Sequence, residues 1–190
     1  MKKNLVIAFW FALVTTVMFG ILYPLAVTGL AQVLFPTRAN GQLIEKNGKT
    51  VGSRIIGQTF TEPGYFQSRP SNAGTGYDAT ASSGSNLGPT NKKLLDRVKG
   101  DVEKLKAENP TTAIPVDLVT SSGSGLDPEI SPAAAEFQIP RVARERAMKE
   151  EDLRTLVQKH TKDRDLGFLG ELRVNVLELN LDLASVHPLR

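Results

Sequence analysis

The sequence contains no cysteine and only two histidines, His160 and His187, among its 190 residues. No cysteine is therefore present for a disulfide or for a lipoprotein anchor. A zinc site would need carboxylates together with the two distant histidines, which is an uncommon ligand set. We therefore expect no metal site in this chain.

The motifs of several enzyme classes are also missing. Neither glycine-rich segment ends in the Gly-Lys-Ser/Thr of a Walker loop, and no G-x-S-x-G elbow marks a nucleophilic serine. Asp117 and Asp127 supply carboxylates, but nothing in their spacing brings them together. We expect no catalytic site here, with a membrane-anchored hydrolase as the least favoured alternative.

Charged residues are also absent from one long segment near the N-terminus. Residues 5–35 contain no Asp, Glu, Lys or Arg, and residues 5–23 nearly supply the 20 or so apolar residues that a membrane crossing needs. The alternative is a cleaved signal peptide, but the apolar run is longer than such peptides have and lacks a small-x-small cleavage site. We predict a short basic N-terminus (1–4), a transmembrane anchor (5–35) and one extracytoplasmic α/β domain (36–190).

The orientation of this anchor rests on a small charge difference. Lys2 and Lys3 favour a cytoplasmic N-terminus, but Arg38, Lys46 and Lys49 lie near the other end and almost balance them. Long domains cross the membrane largely regardless of such charges, so we expect the domain outside the cytoplasm. Without the two N-terminal lysines the chain has 21 basic and 20 acidic residues, which gives no electrostatic basis for binding nucleic acid.

A row of residues recurs every four positions along the anchor, and its first four members are small. The row consists of Ala8, Ala12, Thr16, Gly20, Pro24, Thr28 and Gln32. This small-xxx-small pattern lets a neighbouring membrane helix approach closely, and we interpret it as a docking face, with chance as the alternative. Pro24 lies further along the same four-residue period and predicts a kink or the point where the helix meets the interface. The predicted docking face consists of Ala8, Ala12, Thr16 and Gly20.

The rest of the chain shows the signals of a mixed α+β domain. Asn47-Gly48 predicts a tight hairpin within residues 42–56, and the aromatics in residues 57–89 favour an ordered loop over disorder. Apolar periodicity and capping residues predict helices, and alternation of apolar and polar residues predicts strands. The predicted helices are 90–108, 131–148 and 151–160; the predicted strands are 114–119 and 172–183.

An internal repeat is the most distinctive feature of this domain. Residues 82–89 and 121–128 share the pattern S-S-G-S-x-L-x-P, and each copy leads towards a predicted helix. In the structural interpretation, each copy is a turn whose serine oxygens cap that helix. In the functional interpretation, backbone N–H groups and hydroxyls at the helix entry bind a small anion or a partner.

A series of motifs then resembles one known family over nearly the whole chain. These are T-G-L-A-Q (28–32), N-G (40–41), I-G-Q (56–58), Y-F-Q-S-R-P-S (65–71), S-G-S-N-L-G-P-T-N (83–91), P-V-D-L-V-T (115–120), S-G-S-G-L-D-P (122–128), R-V-A (141–143), G-F-L-G (167–170) and V-N-V-L (174–177). The chain resembles the C subunit of the bacterial Kdp potassium-transporting P-type ATPase.

This resemblance implies a non-catalytic accessory subunit of the pump in the bacterial plasma membrane. The implied partners are a channel-like potassium-binding subunit, a P-type ATPase subunit, a small single-helix subunit and membrane lipid. The family is described as a catalytic chaperone that raises the ATPase subunit's affinity for ATP, so ATP is reached only through that subunit if the domain lies outside. Where the family often has histidine after Asp-Pro, this chain has Glu129, so a role resting on that histidine is in doubt.

The repeat and the resemblance together select a set of candidate partner- or ligand-contacting residues. Gln138 matches the glutamine that the chaperone proposal invokes, and Arg141 begins a matched motif. The repeat contributes the others. The full set is Ser83, Ser85, Asn86, Ser122, Ser124, Asp127, Gln138 and Arg141.

Overall fold

The computed structural model describes residues 1–188, which divide into two compact units, one of residues 1–51 and one that begins at Gly52. The first unit contains a long helix, a short helix and a hairpin. Its elements are helix α1 (Lys2–Val17), a π-helical turn (Met18–Leu22), helix α2 (Tyr23–Leu34), helix α3 (Pro36–Ala39), strand β1 (Leu43–Lys46) and strand β2 (Lys49–Ser53), which ends just past the boundary.

The long helix of the first unit runs without interruption from Lys2 to Leu34 and is apolar enough to cross a membrane. Its 33 residues correspond to about 50 Å, which exceeds the roughly 30 Å of a hydrocarbon core. None of its residues is buried by the rest of the chain. The prediction of one N-terminal apolar helix is confirmed, and the exact boundaries 5–35 and 36–190 remain predictions.

Pro24 is accommodated by the π-helical turn just before it. Proline has no N–H to donate to the carbonyl four residues earlier, and its ring crowds that carbonyl. In the wider turn the N–H of Tyr23 donates to the carbonyl of Met18, five residues back. The π bulge thus gives the backbone around the proline other hydrogen bonds, and the helix continues past it.

The hairpin that follows the helix forms at the predicted turn. Asn47 and Gly48 both have positive φ, at 53° and 71°, which is the backbone that favours this residue pair. Strands β1 and β2 form a two-stranded sheet on either side of the turn. The hairpin prediction is confirmed.

The second unit is a helical layer packed on a small antiparallel sheet. The sheet order is β3–β5–β4, with Ile130 and Thr161 on opposite sides of Val174. Its elements are helix α4 (Lys92–Glu108), a 3₁₀ turn (Val116–Leu118), strand β3 (Glu129–Ile130), helix α5 (Pro132–Arg146), helix α6 (Glu150–His160), strand β4 (Thr161–Lys162), strand β5 (Arg173–Asn175) and helix α7 (Val176–Val186). The mixed α+β class is confirmed.

One hydrophobic core lies between helices α5, α6 and α7 and the sheet. Phe66 brings the predicted loop of residues 57–89 into this core, where its side chain is fully buried. Asn180 of α7 accepts from the Phe66 N–H and donates to the Phe66 carbonyl, both at 2.9 Å. The loop is ordered, as its aromatics predicted. Other fully buried core residues are Phe137, Ile139, Val142, Leu153, Val174, Leu179 and Leu183.

Two strand predictions were wrong. Residues 114–119 contain no strand but a 3₁₀ turn at Val116–Leu118, and only Arg173–Asn175 of the predicted strand 172–183 is extended. From Val176 onwards the chain is helical, because its buried residues follow a helical period and the Asn175 side chain accepts from the Glu178 N–H at 3.0 Å. The same residues also alternate between apolar and polar, and this alternation led to the incorrect prediction of a strand.

The helix predictions were correct. Helix α4 begins after Asn91, whose side chain accepts from the Lys93 N–H at 2.9 Å. Helix α5 begins after Ser131, whose hydroxyl accepts from the Ala134 N–H at 3.0 Å. It continues through Pro140, which lies on its exposed side.

Candidate functional site

The two S-S-G-S loops lie side by side in the second unit. The Ser83 N–H donates to the Ser124 carbonyl at 2.9 Å, and the Ser82 hydroxyl donates to the same oxygen at 3.0 Å. The equivalent glycines of the two copies, Gly84 and Gly123, meet so closely that a Cβ on Gly84 would lie 3.0 Å from the Gly123 carbonyl oxygen. The repeat therefore forms one paired structure rather than two separate helix entries.

The two copies share two local features. The variable position has positive φ in both, 51° at Asn86 and 67° at Gly125. In each copy the next leucine N–H points to the preceding serine hydroxyl, at 3.5 Å for Leu87 and Ser85 and 3.1 Å for Leu126 and Ser124. The shared pattern is thus accompanied by a left-handed residue at the same position of each copy.

The helix-capping interpretation of the repeat was wrong. The caps of α4 and α5 are Asn91 and Ser131, and neither belongs to a repeat copy. The repeat serines instead hold their own loops, since the Ser122 hydroxyl accepts from the Gly125 N–H at 2.9 Å. The N–H groups of Ser83, Gly125 and Leu126 are used in such internal bonds, so these three do not point to an anion site.

Gly125 is fixed by close backbone approach as well as by its positive φ. A Cβ at this position would lie 2.6 Å from the Ala73 nitrogen and 2.6 Å from the Ser83 carbonyl oxygen. The Ser71 hydroxyl donates to the Gly125 carbonyl at 2.6 Å, so three segments meet here. Only glycine fits this junction without moving backbone.

Asp127 connects the second loop to a cleft of about 510 Å³. One carboxylate oxygen accepts from Arg69 at 2.9 Å, and the other accepts from the Glu129 N–H at 3.0 Å. The cleft has apolar walls and a charged rim. It is lined by Arg69, Pro115, Val116, Asp117, Asp127, Glu129, Ile130, Ser131, Ala133, Glu171, Leu172 and Arg173.

The charges at this rim are paired within the domain. Arg173 lies 3.3 Å from Glu129 and 3.1 Å from Asp165, and the two oxygens of Asp117 accept from the N–H and the hydroxyl of Ser131 at 2.7 and 3.1 Å. Burial raises the pKa of Glu129 above its ordinary value, while the neighbouring Arg173 and Lys162 oppose that rise. Glu129 thus acts in a structural ion pair at the position where the resemblance leads one to expect histidine.

Gln138 lies inside the domain and makes four hydrogen bonds. Its oxygen accepts from the Gln67 N–H at 2.7 Å and from Arg141 at 2.6 Å. Its amide nitrogen donates to the carbonyls of Gln67 at 3.1 Å and Ala134 at 3.2 Å. The side chain is only 2% exposed, so every hydrogen-bonding position of this amide is used internally.

Arg141 extends the same network. Its guanidinium donates to Glu108 at 2.8 Å, to the Tyr65 carbonyl at 2.9 Å and to the Pro63 carbonyl. It therefore ties the end of α4 and the loop before Phe66 to helix α5. The predicted site residues thus divide into a group on the two repeat loops, of which Asp127 lines the cleft, and a buried group around Gln138.

The sequence did not single out two arginines that organise the cleft. Arg69 and Arg173 were part of, or next to, matched motifs, but their carboxylate partners lie far away in sequence. The only local signal was an arginine inside one otherwise uncharged motif (Arg69) and directly before another (Arg173), and that signal names no partner. Among residues 1–188 there is no group of three or more His, Cys, Asp or Glu side chains arranged to hold a metal ion.

The predicted docking face of the anchor lies on α1 and the π turn. Ala8, Ala12, Thr16 and Gly20 are all exposed in the isolated chain. A Cβ on Gly20 would meet only the Thr16 methyl, at 3.8 Å. The face is open to a neighbouring helix, and its docking role stays a prediction.

Comparison with known proteins gives one consistent family. Residues 5–185 match the family described as KdpC, K+-transporting ATPase, c chain. The chain is 61% identical over 189 residues to the potassium-transporting ATPase KdpC subunit of Koribacter versatilis (strain Ellin345), covering 100% of this chain and 98% of that protein. It is 55% identical over 195 residues to the KdpC subunit of Rhodopseudomonas palustris (strain BisB18), covering 96% and 98%. It is 57% identical over 174 residues to that of Caulobacter vibrioides (strain NA1000 / CB15N), covering 91% and 88%. This chain therefore belongs to the KdpC family, the c chain of the K+-transporting ATPase.

Proposed function

We propose that this chain is a non-catalytic accessory subunit that stabilises an assembled, ATP-driven potassium import pump. Its partners in this proposal are the channel-like potassium-binding subunit, the P-type ATPase subunit and the small single-helix subunit. The anchor holds it in the plasma membrane with the N-terminus in the cytoplasm and the domain outside. The hydrolytic site lies on the ATPase subunit.

Two findings support this proposal: the family membership, and the fact that the buried Gln138 side chain has no free hydrogen-bonding position. All four hydrogen-bonding positions of Gln138 are used, and its neighbour Arg141 is paired with Glu108. A direct nucleotide contact by Gln138 would have to break bonds that hold the core together. The proposal therefore assigns these residues to the rigidity of the domain.

The proposed chaperone function requires no direct contact between this chain and ATP. We expect this chain to raise the ATPase subunit's affinity for ATP through subunit contacts, because an external domain has no access to cytoplasmic ATP. Such coupling requires the chain to bind one conformation of the ATPase subunit better than another.

Copurification tests the central claim. A tagged full-length chain from potassium-starved cells is expected to recover a membrane ATPase, and recovery of none would contradict the proposal. Calorimetry of the purified chain with ATP should show no binding heat, whereas the ATP KM of the pump should rise when the chain is removed. Binding of ATP to the chain alone would support the direct contact instead.

Topology can be tested separately. A cysteine in place of Lys104, on an exposed part of α4, is expected to react with an impermeant maleimide from outside intact spheroplasts. Since the chain has no cysteine of its own, the signal is unambiguous. Labelling only after lysis would reverse the proposed orientation.

A further inference from the structure

A short hairpin between β4 and β5 presents three apolar side chains to solvent. Leu166 is 82% exposed, Phe168 is 70% exposed and Leu169 is 49% exposed. We call these three residues the apolar tip. Contiguous exposed apolar surface on a folded domain often marks a binding site.

The apolar tip is held in a defined shape. Asp165 and Leu169 exchange two backbone hydrogen bonds, each 2.9 Å, across the turn. Ion pairs support the base of the hairpin, with Arg164 2.8 Å from Glu171 and Arg173 3.1 Å from Asp165. The hairpin therefore loses little conformational freedom when a partner binds the tip, and this favours affinity.

Leu166 has a backbone conformation that disfavours leucine. Its φ is 54° and that of Gly167 is 82°, close to the 53° and 71° of Asn47 and Gly48 in the other hairpin. Asparagine, aspartate and glycine are the residues that such a turn prefers, while a left-handed conformation is costly for leucine. Leu166 is thus unfavourable for the isolated domain both in backbone conformation and in exposure. Residues that break local rules in this way are concentrated at functional sites.

The charges around the tip favour a protein over a lipid surface as its partner. Lys162, Arg164 and Arg173 are balanced by Asp163, Asp165 and Glu171. Loops and helices that bind anionic membranes carry an excess of basic over acidic residues, and this hairpin has no such excess. Because its arginines are already paired, the hairpin can enter a protein interface without bringing an unpaired arginine into it.

We propose that the apolar tip inserts into an apolar groove on another protein subunit of the same pump. This inference rests on the proposed function, which supplies the partner subunits. The base of the hairpin, Glu171, Leu172 and Arg173, also lines the cleft beside Arg69 and Asp127, so the contact surface extends from the tip into that cleft.

The test uses the full-length chain with the rest of its pump. Leu166→Asn and Phe168→Asn are expected to reduce recovery of the other subunits about tenfold or more, since each removes a large apolar contact. Leu95→Gln, at a 54% exposed leucine on α4, is the matched control and should leave recovery unchanged. Leu166→Asn should also raise the thermal midpoint of the chain alone by about 2–4 °C, because asparagine suits the turn.

These two readouts separate the possible failures. If the wild-type chain recovers no partner subunit, the proposed function fails. If the wild type recovers partners and both tip variants recover them equally well, the function stands and the tip is not the docking element. Reduced recovery with an unchanged or raised midpoint supports the proposal, because misfolding would lower both.

A tryptophan reporter tests the membrane as an alternative partner. Trp10 is the only tryptophan, so a Trp10→Phe, Phe168→Trp chain has a single reporter at the tip. The chain is placed in vesicles of phosphatidylethanolamine and phosphatidylglycerol, alone or with the other subunits. A blue-shifted emission only in the assembled pump supports the proposal, whereas a blue shift in the chain alone would overturn it in favour of lipid.

Discussion

The two S-S-G-S loops have the same sequence pattern and a positive φ at the same position, but they are packed into the domain to different extents. At the variable position, Gly125 of the second loop is buried against two other segments, whereas Asn86 of the first loop is exposed. Two positions later, Asp127 pairs with Arg69, while a Cβ on the equivalent Gly88 would meet nothing within 4 Å. The repeat therefore preserves the positive φ at its variable position, while the packing against other segments differs between the copies.

The largest expected difference is at the variable position. Gly125→Ala should lower the free energy of unfolding by about 3 kcal/mol or more, because it adds backbone clashes to a left-handed conformation. Asn86→Ala has the conformational cost alone, about 1 kcal/mol. Urea unfolding of the full-length chain in detergent, followed by near-ultraviolet circular dichroism, measures both. Equal losses would mean that the second loop is no more constrained than the first.

The next difference is expected at the Asp127 and Gly88 positions. Asp127→Ala removes a half-buried ion pair and an acceptor for the Glu129 N–H, at a cost of about 1–2 kcal/mol. Gly88→Ala should stay within about 0.5 kcal/mol of the wild type. Arg69→Ala offers a check, since its effect should not add fully to that of Asp127→Ala. Full additivity would show that the two side chains act independently.

A smaller effect is expected at the serines that accept the leucine N–H groups. Ser124→Ala should cost about 0.5–1 kcal/mol, since its hydroxyl accepts at 3.1 Å and neighbours Ser122. At Ser85 the corresponding distance is 3.5 Å, so Ser85→Ala should have little effect. Amide hydrogen exchange is the sensitive measurement here. Ser124→Ala should speed exchange at Leu126 more than Ser85→Ala speeds exchange at Leu87. The reverse order would contradict the comparison.

The smallest effect is expected when the first copy is converted to resemble the second. Asn86→Gly places glycine at an exposed position whose φ is 51°, where both residues are accepted. The thermal midpoint should therefore change by no more than about 1 °C. A large decrease would show that the Asn86 side chain has a structural role comparable to that of Gly125.

Local signals in the sequence predicted much of this fold. The caps at Asn91 and Ser131 and the Asn47-Gly48 turn each depend on neighbours within a few residues, so the sequence was sufficient to locate them. Residues 176–183 were misread because they satisfy both an alternating and a helical pattern. The Asn175 cap and the distant contact of Asn180 with Phe66 favour the helix.

The candidate site was less predictable, because it depends on contacts between distant segments. The serine loops were found as a repeat, but their pairing through Ser83 and Ser124 spans some 40 residues and leaves no local trace. The Arg69–Asp127 pair has the same origin, since a charge pair across a cleft has no periodic pattern. Gln138 was identified through the resemblance. Its hydrogen bonds could not be predicted, because Gln67 lies 71 residues away in the sequence.

The π-helical turn in the anchor has a consequence for the row of small residues. In an α-helix each four-residue step turns about 40° beyond a full circle, so six steps from Ala8 to Gln32 would spread the row over about 240°. A π bulge accommodates one additional residue and removes about 100° of that winding. The row then covers about 140°, which keeps Pro24, Thr28 and Gln32 above the same side of the helix as Ala8–Gly20. Without the bulge, the row would wind on to the opposite side of the span before reaching Gln32.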